Sequence, residues 1–209
     1  VFLHPETKEE YALARKERKT GTGHKAFSFE FDKNVSLEED LERRDITINA
    51  IAQDKEGNFI DPFKGQEDLK NKIIRRVSEA FKEDPLRVLR VARFAAKLNK
   101  HGFKVDEDTM VEIQKIVASG ELTTLSRERI WMETYKALTT ENPEVYFKLI
   151  EECGALSQIC PVSQLDTSFL AKAMETQTDP NLRWSCLVAS NTSLEDINKS
   201  FNVPKEYKE

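Results

Sequence analysis

The sequence has little of what marks several special classes of protein. It contains 3 cysteines, 3 histidines, 7 glycines and 7 prolines in 209 residues. So little glycine and proline excludes collagen-like and low-complexity chains. The longest apolar runs fall well short of the roughly 20 residues that span a bilayer. These absences predict a soluble protein without a membrane partner.

The cysteines also argue against a metal or disulfide scaffold. Cys153, Cys160 and Cys186 show no CxxC spacing, and only three histidines could join them around zinc. An odd set of this kind is typical of free thiols in a reducing compartment. We therefore expect a cytoplasmic protein.

Charge is what the chain has in abundance. Lys and Arg number 32 and Asp and Glu number 37, so the net charge is −5, and hydrophobic residues make up 39%. This composition fits one or two globular domains. The net charge argues weakly against a general nucleic-acid binder, although local basic clusters could meet phosphates. These clusters are Arg15–Lys19, Arg43–Arg44, Lys70–Arg76 and Arg87–Lys100.

The first 70 residues predict a mixture of strands and helices. The segments VFLH, EEYALARKE and AFSFEF are strand-like, and RKERKTGTGHK between the last two is typical of a loop. The opening VFLHP resembles a strand already under way, so we expect the natural protein to begin upstream of Val1. Ser36 can cap a helix through LEEDLERR, and INAIAQD and NFIDP flank a hairpin turn.

From about Gln66 onward the pattern is helical, with no convincing strand. Apolar residues recur at helical spacing in EDLKNKIIRRV, DPLRVLRVARFAAKL, DEDTMVEIQKIVAS, SRERIWMETYKALT and NPEVYFKLIEECGAL. Residues 161–180 are the least patterned and suggest a loop before two short helices at 180–190 and 193–202.

The segment FKEDPLRVLRVARFAAKL, residues 81–98, is the most informative. Asp84 and Pro85 suit a helix start. Capping the helix could by itself explain the presence of Asp84. Arg87, Arg90 and Arg93 then recur at helical spacing, a stripe that is usually a solvated face.

One turn of this helix combines a carboxylate acceptor with a guanidinium donor. Glu83, Asp84 and Arg87 form a complement to the pairing edge of cytosine or adenine, where an amino donor adjoins a bare ring nitrogen. Uracil and guanine reverse both groups and would be rejected.

A second cluster lies in RRDITINA, residues 43–50. Arg43 and Arg44 could bind a triphosphate, and Asp45, with Asn49 four positions later, could accept a ribose hydroxyl. The alternative is a helix end whose arginines complement the helix dipole.

Taken together, these segments resemble the class II tRNA nucleotidyltransferases, the CCA-adding enzymes, with bacterial poly(A) polymerases as close relatives. RRDITINAIAQ is similar to the ribose-recognition motif, NFIDPFKGQEDLKNKIIR to the hinge motif, FKEDPLRVLRVARFAAKL to the amino-acid template motif and LSRERIWMETYKAL to the motif that supports it. The resemblance runs from Val1 to about Pro161, and the opening segment looks more like the long bacterial CCA-adding enzymes.

The resemblance implies a role for each matching residue. The loop Arg15–Lys25 would be the flexible element that switches from CTP to ATP. The predicted nucleotide-binding residues are Arg44 and Asp45 at the ribose and nucleotide, Asn49 at a phosphate or sugar, Asp84 and Arg87 at the base with Glu83 fixing Arg87, and Arg90 and Arg93 at the triphosphate. Ser126, Glu128, Arg129 and Glu133 would hold the template helix.

The chain departs from the family in two places. The family's catalytic Asp-Xaa-Asp pair, which binds two Mg²⁺ ions, would precede Val1, so we predict no catalytic or metal residue in residues 1–209 and no activity of this segment alone. Glu10 could at most be a neighbouring carboxylate, and the favoured interpretation is a solvated strand residue. The His-Asp phosphohydrolase signature of the long relatives is also absent, so residues 162–209 are a reduced body domain or a divergent remnant.

We therefore predict an α+β fold: the distal part of a polymerase-β-like head at residues 1–72, a helical neck at 73–139 and a helical body region at 140–209. The expected function is addition of CMP and AMP to tRNA 3′ ends from CTP and ATP, with Mg²⁺ as cofactor and tRNA as partner. The alternatives are a bacterial poly(A) polymerase and a non-catalytic RNA-binding derivative. The oligomeric state stays open.

Overall fold

A computed structural model describes most of the chain. Side chains and backbone are described for residues 2–12, 35–160, 165–174, 176, 178–189, 191, 195–201, 203 and 204, and the backbone alone for 16–19, 27–30 and 194. No helix in these ranges is both long and apolar enough to cross a membrane.

The N-terminal region contains two short antiparallel pairs. Strand β1 (Phe2–Leu3) pairs with β2 (Glu10–Tyr11), and β3 (Lys16–Lys19) pairs with β4 (Phe27–Glu30). The prediction of strands here is confirmed for these residues. The predicted loop Arg15–Lys25 is wrong at residues 16–19, because their pairing with β4 makes them a strand. Its other residues lie outside the described part of the chain.

The next segment follows the predicted local signals. Helix α1 (Leu37–Glu42) begins at a capping box, in which Ser36 Oγ accepts from the Glu39 N–H and the Glu39 carboxylate accepts from the Ser36 N–H. A 3-10 turn covers Thr47–Asn49, and strands β5 (Ala52–Gln53) and β6 (Phe59–Ile60) form the predicted hairpin.

Helix α2 (Gly65–Asn71) braces the 3-10 turn. The Thr47 hydroxyl donates to the buried Asp68 carboxylate at 2.8 Å. A Cβ on Gly65 would lie 2.3 Å from the Thr47 carbonyl oxygen, so only glycine permits this approach.

Two strands lie where the sequence predicts none. Helix α2 is followed by Lys72, its C-cap, whose backbone is left-handed at φ 59°. The chain continues as β7 (Ile73–Ile74), which pairs in parallel with β8 (Lys104–Val105). The expectation that EDLKNKIIRRV is one helix, and that no strand follows Gln66, is therefore wrong. The partner strand is distant in sequence, so two residues of strand leave no local pattern.

The remainder is a helical array around one core, as predicted. Helix α3 (Leu86–Leu98) packs against α5 (Arg127–Leu138) and α6 (Pro143–Glu152), while α4 (Glu107–Ala118) and α7 (Leu156–Ile159) lie beside them. Helix α8 (Ser168–Ala173), which the sequence did not predict, lies in the least patterned stretch. Helices α9 (Pro180–Ala189) and α10 (Leu194–Ser200) agree with the two predicted short helices.

The core is continuous from Ile46 to Val203. Its aromatic centre is Trp184, which meets Trp131 edge-on at 5.1 Å and Phe201 at 5.2 Å between ring centroids. Short strands followed by packed helices confirm the α+β fold class. The boundaries at residues 72 and 139 stay predictions.

Candidate functional site

A cavity of about 670 Å³ lies at the beginning of α3, facing the end of α1 and the turn that follows it. Its lining is mainly charged, with five arginines and three carboxylates. The lining residues are Glu10, Arg43, Arg44, Asp45, Asn49, Asp84, Leu86, Arg87, Arg90 and Arg129.

Asp45 is the most buried carboxylate of the cavity, with 5% of its surface exposed. One carboxylate oxygen accepts from the Ile46 N–H at 2.9 Å and from Asn49 Nδ2 at 3.0 Å, and the other accepts from Arg90 Nε at 2.7 Å. Burial would raise the pKa of Asp45, but the charge of Arg90 and these hydrogen bonds outweigh it and lower the pKa. Asp45 is therefore an oriented carboxylate that stays ionised.

Arg90 joins this carboxylate to a second, buried one. Its guanidinium lies 2.7 Å from Asp45 and 3.7 Å from Glu133 of α5, which is 3% exposed. Burial lowers the pKa of Arg90, but the carboxylates of Asp45, Glu133 and Asp84 more than offset this and raise it. Arg93 Nε donates to the other oxygen of Glu133 at 2.6 Å. Two arginines of α3 are thus held from one side by α5.

Asp84 lies two residues before α3, next to Pro85, where the sequence predicts the helix start. One oxygen accepts from the Leu86 N–H at 3.1 Å, and the other accepts from Arg129 Nη2 of α5 at 2.7 Å. Both side chains remain about one-quarter exposed towards the cavity. The carboxylate is therefore oriented at its two oxygens and still accessible.

Arg87 is largely buried although it lines the cavity, being 7% exposed. It donates to the Ala80 carbonyl at 2.6 Å and to the Arg43 carbonyl. These bonds connect the first turn of α3 to the 3-10 helix Glu79–Glu83 and to the end of α1. The guanidinium is therefore held in one place at the cavity.

Arg44 is the more exposed of the two arginines after α1. Its Nη1 donates to the Asn49 carbonyl at 2.8 Å, and its Nη2 lies 3.5 Å from Asp40. Its side chain is 43% exposed, so it presents its charge to the cavity.

Six of the eight predicted nucleotide-binding residues line this cavity. Glu83 is half-buried and lines a different depression with Lys82 and Glu112. Arg93 does not line the cavity, and its Nε donates to Glu133. The six are Arg44, Asp45, Asn49, Asp84, Arg87 and Arg90. The individual roles of all eight stay predictions.

The other lining residues are not among the eight predicted nucleotide-binding residues, although Arg43 was considered as a triphosphate contact. Arg129 was expected only to support α3, yet it enters the cavity and holds Asp84. Arg43 adjoins the predicted Arg44, so that pair of arginines was the available signal. Glu10 of β2, expected to be a neighbouring carboxylate at most, lies at the rim of the cavity. No local pattern marks Leu86.

The carboxylates around the cavity do not form a metal site. Within the described ranges, no three His, Cys, Asp or Glu side chains come together as metal ligands. Asp45 and Asp84 instead face arginines.

Comparison with known proteins decides the family. The model described as "Poly A polymerase head domain" matches residues 3–75, and the one described as "Probable RNA and SrmB- binding site of polymerase A" matches residues 102–165. A CCA-adding enzyme of Pseudomonas putida (strain W619) is 47% identical over 214 residues and covers the whole chain. The chain belongs to the tRNA nucleotidyltransferase and poly(A) polymerase family.

Other members of this family agree in sequence and fold. The Multifunctional CCA protein of Vibrio vulnificus (strain CMCP6) is 58% identical over 169 residues, 81% of this chain. The CCA-adding enzyme of Bacillus stearothermophilus in complex with CTP is 30% identical over 86% of this chain, with a TM-score of 0.67, and this chain covers 46% of it. The chain spans 58% of the Pseudomonas relative and 41% of the Vibrio relative.

Proposed function

We propose that the protein is a CCA-adding tRNA nucleotidyltransferase, which transfers CMP and AMP from CTP and ATP to tRNA 3′ ends. The observation that carries this proposal is that an oriented carboxylate, Asp84, and a fixed guanidinium, Arg87, line the same polar cavity. Relatives named CCA-adding enzymes, and a solved one in complex with CTP, support it.

The proposed base recognition follows from hydrogen-bond polarity. The Asp84 carboxylate accepts from the exocyclic amino group of cytosine or adenine, and Arg87 donates to the adjacent ring nitrogen. A guanidinium has five N–H donors, so Arg87 can bind Ala80, Arg43 and a base together. Uracil and guanine place a donor against the arginine and an acceptor against the carboxylate, which costs buried hydrogen bonds.

The remaining cavity residues fit the ribose and the triphosphate. Asp45 is ionised and oriented, so it can accept a hydrogen bond from a ribose hydroxyl, with Asn49 beside it. Arg44, and Arg90 on α3, supply positive charge for phosphates. In this proposal Arg93 supports Arg90 through Glu133.

The family is one of nucleotidyltransferases, and we propose that Mg²⁺ is its metal here. Magnesium would supply charge neutralisation at the triphosphate. We propose that its carboxylate ligands lie outside residues 1–209. With tRNA as the partner, the expected location is the cytoplasm.

The experiment uses the full-length protein and a transcribed tRNA that ends before its CCA, with each nucleoside triphosphate labelled in turn. We expect incorporation of CMP and then AMP, and none of UMP or GMP. The Arg87→Ala variant should lose this selectivity, whereas Arg127→Ala, at an exposed arginine outside the cavity, should keep it. Incorporation of UMP as fast as CMP would overturn the proposal.

A bacterial poly(A) polymerase is the second candidate, favoured by the description of the head-domain model. It uses the same pair of residues for adenine. It would add AMP repeatedly and incorporate no CMP in the same assay.

A further inference from the structure

Four lysines form an exposed basic surface at the end of α3 that lies away from the cavity. Lys72 follows α2, Lys97 and Lys100 lie at the end of α3, and Lys104 is in β8. All four side chains are exposed. We call these four residues the lysine patch.

Local contacts bring the separate segments together. The Lys104 N–H donates to the Lys72 carbonyl at 3.0 Å, where β7 and β8 pair. The Lys72 side chain lies over Gly102, with its Nζ 3.7 Å from the position of an added Cβ. Gly102 follows the 3-10 helix Asn99–His101, which contains Lys100, so the segments converge on one surface.

Charge in this patch is largely uncompensated. Lys100 pairs with the exposed Glu141. Among the residues that the structure describes, no carboxylate forms an ion pair with Lys72, Lys97 or Lys104. Exposed, unpaired lysines attract a polyanion without a large desolvation cost.

The helix dipole explains only part of this arrangement. Lys97 and Lys100 lie at the C-terminal end of α3, where cations are favoured. Lys72 and Lys104 come from other elements, so the dipole of α3 gives no reason for their charge. Their convergence with the helix end indicates a binding surface.

The distance between the lysine patch and the cavity suits an extended polyanion that reaches both. Helix α3 has 13 residues, so at 1.5 Å per residue its two ends lie about 20 Å apart. Double-stranded DNA carries one phosphate charge per about 1.7 Å of axis, so an RNA duplex of similar charge density would carry roughly twelve charges over that length. A single RNA helix is therefore long enough to reach the patch while its 3′ end lies in the cavity.

We propose that the lysine patch binds the phosphate backbone of the RNA whose 3′ end enters the cavity. This inference rests on the proposed function for the identity of that RNA. Of the four lysines, only Lys104 falls in the range matched by the RNA-binding family model, so the patch extends beyond it.

The test compares two charge-matched double variants of the full-length protein. Lys72→Gln/Lys104→Gln removes two charges from the patch, and Lys148→Gln/Lys172→Gln removes two exposed charges from α6 and α8. Fluorescence anisotropy measures binding of a labelled tRNA lacking CCA between about 50 and 300 mM salt, a range over which the Debye length more than halves.

We expect about tenfold weaker binding for the patch variant, with a salt slope smaller by about two, because each phosphate contact contributes about one unit of slope. The control variant should bind like the wild type. Lys72→Arg/Lys104→Arg should restore binding, and equal melting temperatures show that folding is intact.

Incorporation assays separate this inference from the proposed function. With saturating RNA, the patch variant should keep the wild-type KM for CTP. If the protein incorporates CMP but the patch variant binds RNA like the control, the patch inference fails alone. If RNA binding falls as expected while no variant incorporates nucleotide, the patch stands and the proposed function fails.

Discussion

The two ends of α3 both carry positive side chains, but they hold them in opposite ways. At the beginning, Arg90 faces Asp45, and Arg129 of α5 faces Asp84, both at 2.7 Å. At the far end, Lys97 is exposed, and so is Lys104 of β8, a strand that contacts α3. Among the described residues, neither lysine forms an ion pair.

The difference teaches what each end can bind. A guanidinium fixed between carboxylates keeps one orientation, which suits recognition of a small ligand with directional hydrogen bonds. An exposed lysine is a mobile point charge, which suits a backbone of repeated phosphates. Under the proposals above, the first end serves selectivity for the nucleotide and the second serves affinity for RNA.

The largest expected effect is on stability, at the part of α3 where arginines form ion pairs. Glu133→Gln removes a buried charge that meets Arg93 at 2.6 Å and Arg90 at 3.7 Å. Because Arg90 and Arg93 then lose a buried carboxylate partner, we expect the free energy of unfolding to fall by about 3 kcal/mol or more. Urea unfolding followed by circular dichroism measures this change. A loss below about 1 kcal/mol would show that the pairing does not stabilise α3 against α5.

The second effect concerns selectivity at the same end. Arg87→Ala should reduce the preference for CTP over UTP by about a hundredfold, since unpaired buried polar groups cost about 1–3 kcal/mol each. Arg87→Lys should not restore it, because an ammonium cannot reproduce the bonds to Ala80 and Arg43 together with a base contact. Competition between labelled CTP and UTP gives the ratio, and an unchanged ratio for Arg87→Ala contradicts base recognition by this residue.

The third effect tests the sugar contact. Asp45→Ala should reduce discrimination between ATP and dATP by about tenfold, as expected for loss of one charge-assisted hydrogen bond of roughly 1.5 kcal/mol. Arg44→Ala should instead weaken triphosphate binding, since its exposed charge faces the cavity. Paired ATP and dATP incorporation measures both variants; an unchanged ratio in Asp45→Ala argues against the role.

The fourth effect is the pH dependence of the same carboxylate. The folded-state pKa of Asp45 is lowered from 3.8, so its stabilisation is fully present above the unfolded value and is lost as pH falls through the folded value. Urea midpoints between pH 7 and pH 2.5, a window chosen to bracket about one unit below the unfolded carboxyl value, should fall less steeply for Asp45→Asn than for the wild type. Identical slopes would contradict the ion pair with Arg90.

The smallest effect addresses the exposed end. Glu141→Gln removes the partner of Lys100, but because Glu141 is 66% exposed we expect stability to change by less than about 0.5 kcal/mol. The same variant should bind tRNA about twofold more tightly, since one repelling charge is gone. Weaker binding would contradict the patch.

Local signals in the sequence predicted much of this molecule. Ser36 and Glu39 identify the start of α1, and Asp84 with Pro85 identifies the start of α3, because capping is a short-range interaction. The pairing of β7 with β8 was missed, since each strand has two residues and the partner lies far along the chain. Helix α8 was missed because its segment has weak apolar periodicity.

The sequence by itself determined most of the helical elements, the family and six of the residues that line the cavity. Only the tertiary structure decided how those charges are held: Asp45 meets Arg90, Asp84 meets Arg129, and Glu133 meets Arg93. Each pair joins side chains that are 40 or more positions apart. Spacing within one helix predicts which residues share a face. Only the packing of α3 against α5 and against the turn after α1 brings each arginine to its carboxylate partner.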